Sequence, residues 1–189
     1  MTAIEPSLVD VLMLEYQQLK EEQRLRIGIR DHLIYATLGV LAMAVGGVVQ
    51  LDSPKLLLLT PPACMALGWT YLVNDDRITA LGRHVQTVIG PQLAQLLDAG
   101  IPVFGWEAAH RNDHWQRTRK RCQLAVDLLI FCTPALAALV VAWSFTTPSP
   151  ILAAIVLVEA VGIGFLTFRL ATNARTALSR MPSTKEPRT

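Results

Sequence analysis

LIYATLGVLAMAVGGVVQL, Leu33 to Leu51, runs for 19 residues without one Asp, Glu, Lys or Arg. Wound as an α-helix at about 1.5 Å per residue, it matches the roughly 30 Å hydrocarbon core of a bilayer. Three further stretches have the same character. Leu56–Val73 covers 18 uncharged residues, Leu124–Phe145 covers 22 with Asp127 as its one charge, and Ile151–Phe168 covers 18 with Glu159. None carries the polar stripe that a helix needs to face water in a soluble bundle. The expected fold is therefore all-α: a polytopic membrane protein with four transmembrane helices.

Composition agrees. Of 189 residues 52% are hydrophobic and only 17% charged, with a mean hydropathy of +0.38. Soluble domains run at about 25% charged. So apolar a chain is not disordered as a whole, and 11 Gly and 11 Pro without a period exclude a collagen-like fibre. A net charge of +2 gives no reason to expect nucleic acid.

The connections Asp52–Lys55 and Thr146–Pro150 are short and rich in turn formers, so residues 33–73 and 124–168 are expected to form two antiparallel hairpins. Lys20, Arg24, Arg26 and Arg30 precede the first span. Seven basic residues separate spans two and three, and five lie at or beyond the end of span four. Lys55 alone falls in a hairpin tip. The positive-inside rule then places both termini and the middle segment in the cytoplasm, with the chain in the plasma or inner membrane. The first 32 residues hold no early apolar core, so span one itself is expected to direct insertion. Cys64 and Cys132 fall within spans and Cys122 at a cytoplasmic boundary, which gives no CxxC and no outer disulfide.

Segments 1–32, 74–123 and 169–189 are thus expected to be cytoplasmic. Ser7 and Asp10 resemble a capping box, and Leu8, Leu12, Tyr16, Leu19 and Ile27 follow at near-helical spacing. No proline interrupts the run before span one, so one helix is expected to enter the bilayer, with Gly28 as its weak point. Ile78, Leu81, Val85 and Val88 predict an apolar face continuing from span two. Gly90-Pro91 is expected to break that helix and start another through Leu93, Leu96 and Leu97, ended by the turn Ala99–Pro102. Trp106–Arg121 is polar and helix-prone, and the tail is expected to be partly disordered.

Four constellations could carry chemistry. Glu107, His110 and His114 share a helical face, as metal ligands do. One such motif is half a di-metal site at best and no second copy exists, so the expectation is a solvated helix with no metal. Arg117, Arg119, Lys120 and Arg121 stand directly before span three, where a basic run contacts anionic lipid headgroups rather than nucleic acid. Asp127 and Arg169 lie at similar depth near the cytoplasmic face and are expected to pair. Glu159 is the ninth residue of its span, near the midplane, level with Cys64 and with Thr133-Pro134. Pro61-Pro62 lies about one turn away.

Prolines free the carbonyls of Leu57, Leu58 and Ile130, and a neutral Glu159 is expected to donate to one of them. Such a bond fixes helix register or oligomer state; the competing role is a proton or ion path. No GxSxG, Walker A, HExxH or GxGxxG motif is present, so neither catalysis nor a cofactor is expected. Ala42 with Gly46, and Ala160 with Gly164, are small-xxx-small pairs that predict a homo-oligomer. The expected role is a non-enzymatic membrane scaffold or effector subunit engaging a soluble cytoplasmic partner. A pore-forming or ion-conducting oligomer, gated by its cytoplasmic helices, is the alternative.

Overall fold

The computed structural model describes residues 7–98, 116–147 and 149–179. Among them there is no strand. Helix α1 runs Leu8–Leu51, and a 3₁₀ segment, Pro54–Leu59, leads into α2, Thr60–His84. A π-turn, Val85–Ile89, joins α2 to α3, Gly90–Leu96. Helix α4, Gln116–Asp127, passes through a second π-turn, Leu128–Cys132, into α5, Thr133–Phe145, and α6 covers Pro150–Ser179. Four continuous helical stretches are long and apolar enough to cross a membrane: Leu8–Leu51, Pro54–Leu96, Thr118–Phe145 and Pro150–Ser179.

Local chemistry explains where these helices start and bend. Ser7 Oγ accepts from the Asp10 backbone N–H at 3.2 Å, and Asp10 Oδ2 accepts from the Ser7 backbone N–H at 3.1 Å. This reciprocal capping box satisfies two donors that a helix start leaves open. Gly28 does not interrupt α1. Asp52 takes a left-handed φ of 47° between α1 and the 3₁₀ segment, a conformation that Asp tolerates better than most residues. Ser149 starts α6, its Oγ accepting from the Leu152 N–H at 3.1 Å.

Gly90-Pro91 does not break the helix. Gly90 keeps right-handed helical angles (φ −58°, ψ −52°), and its N–H reaches back five residues to the Val85 carbonyl. Widening by one residue relieves the clash of a proline ring with the carbonyl four residues earlier. Burial of Val85, Ile89 and Leu93 then favours continuing over breaking. The same device recurs before Pro134, where Thr133 N–H donates to Leu128 O. Each described π-turn thus ends two residues before a proline. Along α3 the expected apolar face divides, with Leu93 buried and Leu96, like Leu97 just after it, exposed. The expected turn at Ala99–Pro102 lies outside the described residues, as do the end of the tail and most of Trp106–Arg121.

The chain divides into two compact units. The first comprises 7–32 and 71–98. Along α1 its less exposed residues include Leu12, Tyr16, Leu19, Gln23, Arg26 and Arg30, alternately four and three apart, with Val9, Lys20 and Gly28 half-buried beside them. That 3.5-residue period is the seam of coiled-coil packing. Leu8 and Ile27, assigned to the apolar face by a looser count, are exposed; the seam position beside Ile27 belongs to Arg26. Contacts of Glu15 with His84 and of Arg26 with Asn74 set α1 and α2 antiparallel in this unit.

The second unit comprises 33–70 with the described parts of 116–179. Its α2 and α6 run parallel and in register: Met65 meets Gly162, Gly68 meets Leu166, and Trp69 stacks on Phe165. Gly68 and Gly162 permit this close approach: a Cβ at Gly68 would stand 2.8 Å from Leu166 Cδ2 and 3.2 Å from Phe131 Cβ, and one at Gly162 would overlap the Met65 side chain. Ala135, Ala138 and Ala142 are buried on α5, so small residues line this interior as membrane helix packing favours.

Candidate functional site

Polar groups inside the second unit come from several helices. On α6 the seam is Leu152, Val156, Glu159, Ile163, Leu166 and Leu170, again four and three apart. Glu159 is the ionisable member of this stripe. Its Oε2 is buried and has no hydrogen-bond partner among the described residues. The expected bond to a proline-freed carbonyl is therefore absent for this oxygen. One reason is visible at the 3₁₀ segment: Thr60 N–H donates to Leu57 O, using the carbonyl that Pro61 cannot serve.

The other members of the expected polar layer divide by burial. Cys64 and Pro61 are fully buried, Pro134 partly so, and Pro62 and Thr133 are exposed. Thr133 Oγ1 donates to Leu128 O at 3.2 Å and so serves its π-turn. Thr60, which sequence reasoning missed, is buried one turn before Cys64, and its Oγ1 also lacks a partner among the described residues. Its signal was its position, four residues before Cys64 and directly before the proline pair. Thr37 was missed as well; it is fully buried and donates to Leu33 O at 2.8 Å. Cys64 and Cys132 are buried free thiols, whereas Cys122 is exposed.

Asp127 and Arg169 are not brought together as an ion pair. Asp127 is buried, at 7% exposure. The Arg169 guanidinium instead lies 5.7 Å from the centre of the Trp69 ring. Equal depth on two helices does not make side chains face each other; α6 turns Arg169 toward α2. Arg119 and Arg121 are exposed at the start of α4, and Lys120 donates to Gln123 Oε1 at 3.3 Å. Arg117 belongs to the same helix, its side chain outside the described set. Glu107, His110 and His114 lie outside the described residues. Among the described residues no three His, Cys, Asp or Glu side chains are grouped to hold a metal ion.

The first unit contains a polar cluster that periodicity alone did not flag. Asn74 is 5% exposed, and its Nδ2 donates to the Arg26 carbonyl at 2.6 Å. Arg26 donates to Glu22 Oε1 through Nη2 at 2.6 Å and Nε at 2.9 Å, and reaches Asn74 Oδ1 at 3.5 Å. Arg30 stands 3.6 Å from Asp75. The available signal was Asn74-Asp75-Asp76 directly after span two, level in an antiparallel pair with the arginines before span one.

Comparison with protein families, with curated proteins and with solved structures gives no match. What the arrangement does therefore has to be argued from its own chemistry.

Proposed function

We propose that the chain is a non-enzymatic integral membrane scaffold that oligomerises and presents cytoplasmic helices to a soluble partner. In this reading residues 33–73 and 124–168 are two transmembrane hairpins. Both termini and the middle segment lie in the cytoplasm, and the membrane is the plasma or inner membrane. The carrying observation is how little of span one the chain covers by itself. Only 6% of its most apolar 18-residue window is buried. A Cβ at Gly39, Gly46 or Gly164 would meet nothing within 4 Å, so the small faces of spans one and four are open to another helix. Light scattering in mild detergent is expected to give a homo-oligomer that Gly46→Leu or Gly164→Leu weakens. A strictly monomeric wild type overturns the reading.

A second reading, an ion- or proton-conducting oligomer, draws on one observation: the buried, unpartnered carboxyl oxygen of Glu159. An ionisable group within a span is a functional candidate by its cost alone. The two roles separate on Glu159→Gln. A scaffold keeps its oligomer and shows no flux in reconstituted vesicles before or after the change. A conductor shows flux that the substitution abolishes while the oligomer persists.

A further inference from the structure

The cluster formed by Trp69, Phe165 and Arg169 is unexplained by the scaffold reading. Phe165 and Arg169 are one turn apart on α6 and lie against the same indole. The Trp69 and Phe165 rings are 5.9 Å apart and inclined by 24°, and the guanidinium sits over Trp69 at 5.7 Å. Nevertheless the cluster is open, with Trp69 41% and Phe165 55% exposed, and Arg169 and Phe168 exposed beside them. Among the described residues no carboxylate pairs with Arg169, and neither its guanidinium nor the Trp69 indole N–H donates a hydrogen bond. A cation held in place by an aromatic face, with its donors unused, is preorganised for an anion.

Position identifies the anion. Trp69 lies four residues before the end of one apolar run, and Arg169 directly follows the end of another. The two helices run parallel here, so both residues belong to one membrane–water boundary, the level at which Trp and Arg meet lipid headgroups. We propose that Trp69, Phe165 and Arg169 form a binding site for the headgroup of one anionic phospholipid. Arg169 takes the phosphodiester through charge-assisted hydrogen bonds, the Trp69 N–H donates to the headgroup or ester oxygens, and Phe165 and Phe168 lie along the first part of the acyl chain. The proposal rests on the membrane reading of these helices and adds a ligand class that the scaffold role does not require.

Native mass spectrometry of the full chain, purified with phosphatidylglycerol or phosphatidylcholine, tests it. The wild type is expected to retain phosphatidylglycerol in preference. Arg169→Gln should weaken that retention about tenfold or more, the loss that charged hydrogen bonds imply. Trp69→Phe, which keeps a ring and removes the N–H, should weaken it severalfold, and Arg175→Gln, an exposed charge on the same helix, much less. Equal losses for Arg169→Gln and Arg175→Gln would reduce the effect to general charge and overturn the site. Displacement of the lipid by excess inorganic phosphate would overturn it too, by showing a free-anion site. Membrane sedimentation is measured in parallel. A wild type that sediments with membranes yet shows no preference for phosphatidylglycerol overturns this site alone, and a wild type that remains soluble overturns the membrane reading with it.

Discussion

Asn74 binds α1 by its backbone: the side-chain amide on α2 donates to the carbonyl of Arg26 at 2.6 Å, while Arg26 reaches back to the Asn74 carboxamide oxygen at 3.5 Å. A contact to main chain survives rotation of neighbouring side chains, so it fixes the register of the two helices within their unit. The Arg26–Glu22 and Arg30–Asp75 pairs around it are more exposed, and each contributes little by itself.

Asn74→Ala should therefore destabilise this unit by about 1–2 kcal/mol, the cost of removing a well-made buried hydrogen bond. Hydrogen exchange by mass spectrometry is the measurement. Peptides covering 22–32 are expected to exchange faster by about tenfold. Unchanged protection there would show that the seam holds its register without Asn74.

Gly68 and Gly46 should respond oppositely to a larger side chain. At Gly68 an added Cβ would stand 2.8 Å from Leu166 Cδ2 and 3.2 Å from Phe131 Cβ, so Gly68→Val overpacks the interior and should cost about 1–3 kcal/mol. At Gly46 nothing lies within 4 Å, so Gly46→Leu should leave the thermal transition of the single chain nearly unchanged while altering oligomer size. Similar thermal losses for both variants would contradict the packing described here.

The thiols give a direct measure of the interior. Cys122 is exposed, and Cys64 and Cys132 are buried in the second unit. A soluble disulfide reagent should titrate a single thiol in the native protein and all three after denaturation in SDS. Replacing Cys122 with Ser should abolish the native reaction, whereas rapid reaction of a second thiol would mean that the helices part around Cys64 or Cys132.

Length and apolarity were enough to find the four long helices, because a run such as Leu33–Leu51 is uncharged over its whole length and long enough to cross a membrane as one helix. Ser7 and Asp10 were legible as a cap for a similar reason, since both partners lie within one turn. Features that depend on rotation about a helix axis were not legible. Asp127 and Arg169 were matched by depth, yet Arg169 faces Trp69. Pro91 was read as a break because a count of missing N–H groups ignores the packing of Val85 and Ile89, which makes a π-turn the cheaper solution. The place of Glu159 midway along its apolar run followed from counting, but the isolation of its Oε2 depends on what the neighbouring helices present.

Topology carries the whole account, and single-cysteine labelling tests it most directly. In a background where Cys64, Cys122 and Cys132 are replaced by serine or alanine, cysteines are placed singly at Ser53 and at Ala94. A membrane-impermeant maleimide added to intact cells should label the variant at Ser53 and leave that at Ala94 untouched until the membrane is opened. Labelling of position 94 from outside, or protection of position 53, would contradict the four-span arrangement with both termini in the cytoplasm.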